Sequence, residues 1–130
     1  MRIEHIAVWA ADIERLKAFY VTYFGAVPGL KYVNEQKRFQ SYFLTFSSGA
    51  RLELMQLPDI GETDGLGGRS IGLGFAHLAM SLGSEAAVGA LTKRLVNDGY
   101  RLLDGPRRTG DGYYESVVED PEGNRVEITI

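Results

Sequence analysis

The sequence predicts an α+β fold in which one βαβββ unit occurs twice, giving eight strands in all. In each half, a strand and an amphipathic helix are followed by three strand-like runs. The only two histidines occupy matched places, each in the first predicted strand of its half. A glycine-rich stretch at 61–73 has no apolar periodicity and is typical of a linker. We therefore expect one domain over residues 1–130, with module one at 1–60 and module two at 74–130.

The first half has clear local signals for its helix. Residues 3–9 are predicted to form a strand, and Asp12 after it is a good helix N-cap. From residue 12 to 24, apolar side chains recur every three or four positions, and Gly25 ends this helical pattern. Three further strands are predicted at about 30–35, 38–46 and 50–57.

The second half repeats this order. Residues 74–81 are predicted to form a strand, and Ser84 caps a helix that Gly99 ends. The apolar side of that helix carries Ala87, Val88, Leu91, Leu95 and Val96. Strands follow at about 101–107, 113–119 and 124–130, with a turn at 120–124 before the last one.

Composition excludes several classes of protein. With 130 residues and a mass of 14.4 kDa, the chain has the size of one ordinary domain. It contains no cysteine, so disulfides, thiolate metal sites and cysteine nucleophiles are excluded. The net charge of −3 and the lack of basic runs speak against a nucleic-acid partner. No apolar stretch approaches the ~20 residues that span a bilayer. We therefore expect a soluble, cytoplasmic protein with no membrane partner.

Four ionisable residues occupy matched places in the two halves. Glu53 follows His5 by 48 residues, and Glu127 follows His77 by 50 residues. Each glutamate is centred in the last predicted strand of its half. Since side chains alternate between the faces of a strand, all four are predicted to point away from the helix-covered side, where Val126, Ile128 and Ile130 would pack. By the same rule, Glu4 is predicted to point to the opposite face of the strand from His5.

This residue set suits a metal ion. Two imidazoles and two carboxylates are good ligands for one divalent ion such as nickel, zinc, iron, manganese or cobalt, with positions left for water or substrate. A lone strand histidine is more often a satisfied structural residue, and a lone strand glutamate usually faces solvent. The matched placement favours His5, Glu53, His77 and Glu127 as metal ligands over that alternative.

The paired modules and these four residues resemble the glyoxalase I or vicinal-oxygen-chelate superfamily, which includes bleomycin resistance proteins and dioxygenases. The supporting motifs are FYVTYFG at 19–25, RLELM at 51–55, GFAHLAM at 74–80 and EDPEGNRVEI at 119–128. The resemblance implies a cup-shaped, eight-stranded mixed sheet around one divalent metal. It also implies a homodimer, with the modules paired within or between chains.

The resemblance implies an enzyme that acts on a small molecule through metal chelation by two neighbouring oxygens. Two acidic ligands fit a lactoylglutathione lyase-like lyase or isomerase, in which Glu53 or Glu127 moves a proton. Three alternatives remain: an antibiotic-modifying thiol transferase, an iron dioxygenase using His5, His77 and Glu127, and a non-catalytic sequestering module.

The resemblance also bears on the substrate. Glutathione-using relatives carry an arginine and an asparagine where Trp9 and Leu57 stand here. Neither side chain can make those contacts, so a thiol adduct other than the usual glutathione one is left open. Trp9 is either a core aromatic or part of a substrate pocket. Arg51 and Arg125 are expected either to hold an anionic substrate or to pair with carboxylates.

Overall fold

The structure is a computed structural model that describes residues 1–58, 74–110 and 112–130. The chain divides into two compact units, residues 1–62 and residues 63–130. The predicted linker at 61–73 lies outside the described residues. Within the described part of the chain, neither helix has the length and apolar character needed to cross a membrane.

The first unit is a five-stranded sheet with one helix. Its elements are β1 (His5–Trp9), α1 (Ile13–Phe24), β2 (Val27–Pro28), β3 (Tyr32–Asn34), β4 (Phe39–Thr45) and β5 (Arg51–Gln56). The strand order is β1-β5-β4-β2, with β3 also paired to β4, and β1 runs parallel to β5. The four strands predicted in this half are present with trimmed ends. The two-residue β2, which pairs with the end of β4, was not predicted, because a strand this short has no detectable alternation of apolar residues.

One face of this sheet is buried with α1. Leu44, Leu52 and Leu54 are at most 2% exposed, as are Ile13, Leu16, Phe19 and Tyr20 of the helix. The Asp12 carboxylate accepts hydrogen bonds from the backbone N–H groups of Glu14 and Arg15, and Gly25 adopts the left-handed conformation that ends α1. Both predicted ends of α1 are confirmed.

The second unit is a four-stranded sheet with one helix. Its elements are β6 (Leu78–Ser81), α2 (Glu85–Asn97), β7 (Leu102–Arg108), β8 (Tyr114–Glu119) and β9 (Arg125–Thr129). The strand order is β6-β9-β8-β7, with β6 parallel to β9. The α+β fold with two βαβββ units is therefore confirmed. The strand predicted at 74–81 begins only at Leu78, which pairs with Val126, so His77 precedes the strand.

The core of the second unit lies between α2 and the sheet. Val88 and Leu95 of α2 are fully buried, as are Val118, Val126 and Ile128 of the sheet. The prediction was wrong for Val96, which is 44% exposed, and for Ile130, which is 37% exposed. Val96 lies at the margin of the apolar stripe, and Ile130 follows the last paired residue of β9.

The pairing of β7 with β8 contains an irregularity at Asp104–Arg107. Gly105 lies there with φ of 77°, a left-handed conformation that favours glycine. A side chain at this position would collide with the carbonyl oxygen of Glu115. The irregularity places Arg107 opposite Glu115, on the same sheet face as Glu127.

Candidate functional site

The two halves hold their histidine and glutamate in the same backbone relationship. In the first unit, Glu53 pairs with Ala7, two residues after His5. In the second unit, Glu127 pairs with Ala79, two residues after His77. In the first unit, Glu53 lies on the sheet face opposite the buried Leu52 and Leu54. In the second unit, Glu127 lies on the face opposite the buried Val126 and Ile128. Each unit thus presents one imidazole beside one carboxylate on its polar face.

The first pair is partly shielded. His5 Nε2 lies 3.7 Å from Glu53 Oε2. The Glu53 side chain is only 16% exposed, whereas the His5 ring is 39% exposed. The His5 and Phe43 rings pack in a T-shaped arrangement with their centres 5.3 Å apart, and this contact holds the imidazole over β4.

Glu4 contacts the other nitrogen of His5. Its Oε2 lies 2.5 Å from His5 Nδ1, and its Oε1 accepts a hydrogen bond from Arg51. The guanidinium of Arg51 in turn stacks on Phe43, 4.1 Å from the ring centre. The hydrogen bond with His5, followed by that with Arg51, lowers the pKa of Glu4 below its usual 4.5.

The sequence prediction for Glu4 was therefore wrong. Glu4 precedes β1, so strand alternation does not govern its direction, and its carboxylate reaches the ring of His5. Arg51 follows one of its two predicted alternatives, because it pairs with a carboxylate.

The second pair, His77 and Glu127, lies in a different environment. His77 Nε2 lies 3.3 Å from Glu127 Oε2, with the side chains 43% and 16% exposed. Ala76 precedes His77, so this half has no counterpart of Glu4. Arg107 faces the same side, where its Nη2 lies 2.6 Å from Asp104 and 3.8 Å from Glu115. The hydrogen bond with Asp104 is the main cause that raises the pKa of Arg107.

The donor spacing in each pair fits a shared metal ion. Two donors that each lie about 2.1 Å from one ion are about 3.0–3.6 Å apart at bond angles of 90–120°. The observed separations of 3.3 and 3.7 Å match or nearly match this span. The same separations also fit ordinary histidine–carboxylate ion pairs. Within the residues the structure describes, neither unit by itself gathers three or more such side chains around one point.

An aromatic hollow lies at the far end of the polar face of the first unit. Its volume is about 320 Å³, and its lining residues are Tyr32, Asn34, Lys37, Phe39 and Leu57. The Trp9 ring packs edge-on against Phe39, with the ring centres 6.4 Å apart. Trp9 is 45% exposed, so the core alternative for this residue was wrong.

Comparison with known proteins gives one family. The profile of the Glyoxalase/Bleomycin resistance protein/Dioxygenase superfamily matches residues 2–128. Over 59 residues, the chain is 37% identical to the uncharacterized protein YqjT of Bacillus subtilis, and the match covers 43% of this chain and 46% of that protein.

Solved structures share the fold. A glyoxalase I mutant from Zea mays has a TM-score of 0.77 and 22% identity, with 98% of this chain and 44% of that chain covered. The trypanothione-dependent glyoxalase I of Leishmania major has a TM-score of 0.75 and 19% identity, with 99% and 86% covered. This chain thus spans less than half of the maize chain, and its match to the Bacillus protein also covers less than half of that protein.

Proposed function

The chain belongs to the Glyoxalase/Bleomycin resistance protein/Dioxygenase superfamily, and from this premise we propose that it is a metal-dependent lyase or isomerase of the glyoxalase I type. Its substrate is a small α-oxo thiol adduct with two adjacent oxygens. The observation that carries the proposal is the matched histidine–glutamate pair in each half, with nitrogen–oxygen separations of 3.7 and 3.3 Å. Two unrelated surface ion pairs would have no reason to share the same strand register.

The proposed ligands are His5, Glu53, His77 and Glu127. Superfamily members generally bind a divalent metal, and this mixed nitrogen and oxygen donor set suits nickel, zinc, iron, manganese or cobalt. When bound, such an ion supplies Lewis-acid stabilisation of negative charge on the substrate oxygen. Each neutral imidazole offers Nε2 as the donor, since this is the nitrogen that faces the glutamate in both halves.

The glutamates have a second role in the proposal. The carboxylate of Glu53 or Glu127 takes a proton from the carbon beside the substrate carbonyl and returns it to the former carbonyl carbon, while the hydroxyl proton passes to the former carbonyl oxygen. No proton is gained or lost overall, so the same side chain acts first as base and then as acid. Both carboxylates are only 16% exposed, which limits exchange of the held proton with water.

We also propose that the protein forms a homodimer, as the resemblance implies. Sedimentation at micromolar concentration measures this directly. A species near the mass of two chains is expected, and a species near the single-chain mass of 14.4 kDa would contradict it.

Metal binding is the first test. The metal-free chain is titrated with nickel and zinc by calorimetry, and bound metal is counted by elemental analysis. We expect close to one ion per chain, and strongly reduced uptake by H5A and H77A. The control is E35Q, which changes an exposed acid in the β3–β4 turn. Negligible uptake that is equal in the wild type and H77A would refute the metal site.

Turnover is the second test. Adducts of α-ketoaldehydes with several thiols are screened with nickel, zinc, manganese and iron. E127Q and E53Q are then assayed at saturating metal. The variant that lacks the base is expected to retain metal and lose turnover by about 10²–10⁴-fold. Wild-type turnover by both variants would remove the proposed role of the glutamates, and oxygen uptake with iron(II) and a catechol would point to a dioxygenase instead.

A further inference from the structure

The aromatic hollow of the first unit shares its sheet face with the His5–Glu53 pair. Phe39 and Phe43 lie on one face of β4, four residues apart, and Phe43 pairs with Glu53. Trp9 and His5 have the same relationship on β1. Four strand residues span about 13 Å. The hollow and the histidine–glutamate pair are therefore the two ends of one surface.

Two aromatic side chains, Tyr32 and Phe39, line the hollow, and Trp9 contacts one of them. Tyr32 packs against Phe39 with the ring centres 6.1 Å apart, and Trp9 packs against Phe39 from another side. Tyr32 and Trp9 are about half exposed, which is unusual for aromatic rings that only fill a core. Leu57 contributes a further apolar wall. Such a surface suits a flat or branched apolar group.

Lys37 adds a cation to this apolar surface. Its backbone N–H donates to the Asn34 side chain at 3.0 Å, which holds the turn between β3 and β4 in place. Its amino group has no carboxylate partner among the residues the structure describes, whereas Lys17 and Lys31 of the same half both pair with Glu14. The charge at the hollow is thus available to an anion. The side-chain amide of Asn34 lies at the same rim and can donate to it as well.

We infer that the hollow binds an apolar group that carries a carboxylate, with the apolar part against Phe39 and the carboxylate at Lys37. This inference rests on the proposed function in one respect, because it assigns this group to the thiol half of the substrate. A substrate that reacts at His5 and Glu53 must then extend about 13 Å to reach the hollow. The substrate class is an adduct of an elongated, anionic thiol with an apolar end.

Binding of fragments to the metal-free chain tests the inference. The probe is 3-phenylpropanoate, with 3-phenylpropanol as its neutral analogue and propanoate as the anion without a ring. Binding is measured by calorimetry and by the fluorescence of Trp9, the only tryptophan in the chain. We expect 3-phenylpropanoate to bind with a Kd of about 1 mM, and more tightly than either analogue.

Two variants separate the contribution of the Lys37 charge to binding from the contribution of the Phe39 ring. K37Q is expected to weaken binding of 3-phenylpropanoate about two- to fivefold and to leave binding of the neutral analogue unchanged. F39A is expected to weaken both phenyl probes. The control K93Q removes an exposed lysine of α2 in the other unit and is expected to change neither. Circular dichroism verifies that each variant is folded.

Two results would overturn the inference. One is the absence of saturable binding of 3-phenylpropanoate to the wild type, and the other is an unchanged affinity in K37Q. Neither depends on the proposed activity, because the probes lack the adjacent oxygens and the chain is metal-free. If the metal and turnover tests succeed while fragment binding fails, only the assignment of the hollow is wrong.

Discussion

The carboxylate of Glu4 lies 2.5 Å from Nδ1 of His5, on the side of the ring opposite to Glu53. An ionised carboxylate accepts the hydrogen of a protonated Nδ1, which leaves Nε2 as the free lone pair of a neutral imidazole. Arg51 holds Glu4 in place from the other side. Glu4 therefore selects the tautomer in which His5 can act as a ligand.

Replacing this carboxylate tests its role as a positioning residue. E4Q is expected to weaken binding of zinc to the metal-free chain about tenfold, because the amide is a weaker acceptor and no longer favours one tautomer. Calorimetry gives the affinity, and the ring NMR signals of His5 report the tautomer. The control is E35Q. Unchanged affinity together with an unchanged tautomer would contradict the role.

Acid is expected to weaken the attachment of α1 to β4. Hydrogen bonds from Lys17 above all, and from Lys31 and Tyr42, lower the pKa of Glu14 from 4.5 to about 2. Because the folded-state pKa is lowered, the contribution of Glu14 is complete above pH 4.5 and is lost as the pH falls toward 2. Glu14 is 51% exposed, so solvent screening limits this contribution to about 0.5–1 kcal/mol.

Urea unfolding of E14Q at several pH values measures this contribution. We expect the variant to be less stable than the wild type near neutral pH, with a difference that shrinks on acidification. A difference that stays constant between neutral pH and about pH 3 would contradict the assignment.

Truncation of the first core is expected to be costly. Leu54 is fully buried beneath α1, so L54A should lower the free energy of unfolding by about 2–5 kcal/mol through lost burial and the cavity left behind. The matched control is L30A, since Leu30 is 97% exposed and its loss should change stability by about 0.5 kcal/mol or less. Urea denaturation of both variants measures the contrast, and equal losses would argue against this core.

A buried pair of hydroxyl groups joins α2 to β8. Thr92 Oγ1 donates to the Val88 carbonyl at 2.7 Å and lies 2.6 Å from Ser116 Oγ. Since the single hydrogen of Thr92 is used, Ser116 must donate to Thr92. T92V is expected to cost about 1–3 kcal/mol, because the Ser116 hydroxyl is left buried without its acceptor.

A double-mutant cycle isolates this pair. Adding S116A to T92V removes the orphaned hydroxyl, so the double variant should be more stable than the sum of the two single effects predicts. Strictly additive losses in urea unfolding would show that the two hydroxyls do not interact.

Features that depend on local chemistry were predicted from the sequence. Asp12 and Ser84 cap their helices as expected, because a capping side chain needs only the backbone a few residues ahead. Burial depends on the neighbours across space and was harder to predict. Val96 fits the apolar pattern yet is exposed, while the polar Thr92 is buried because Ser116 satisfies it.

The same contrast applies to the candidate site, where strand alternation predicted some features and contacts between distant segments produced the others. The alternation of strands placed Glu53 and Glu127 on the polar faces, since that rule holds wherever a residue is paired on both sides. It failed for Glu4, which lies before the first paired residue of β1. The hollow around Phe39 was not predicted, because it combines β3, a turn and the residue after β5, and their separation in space leaves no periodic signal.

Gly105 touches neither histidine, yet the polar face of the second unit depends on it. Any larger residue would meet the backbone of β8 and would be strained at this positive φ, so the chain would have to shift and carry Arg107 away from Glu115 and Glu127. In a saturation mutagenesis library selected for activity, this position should tolerate almost no replacement. Sequence variation in this half would then be limited by a residue that has no side chain and lies outside the His77–Glu127 pair.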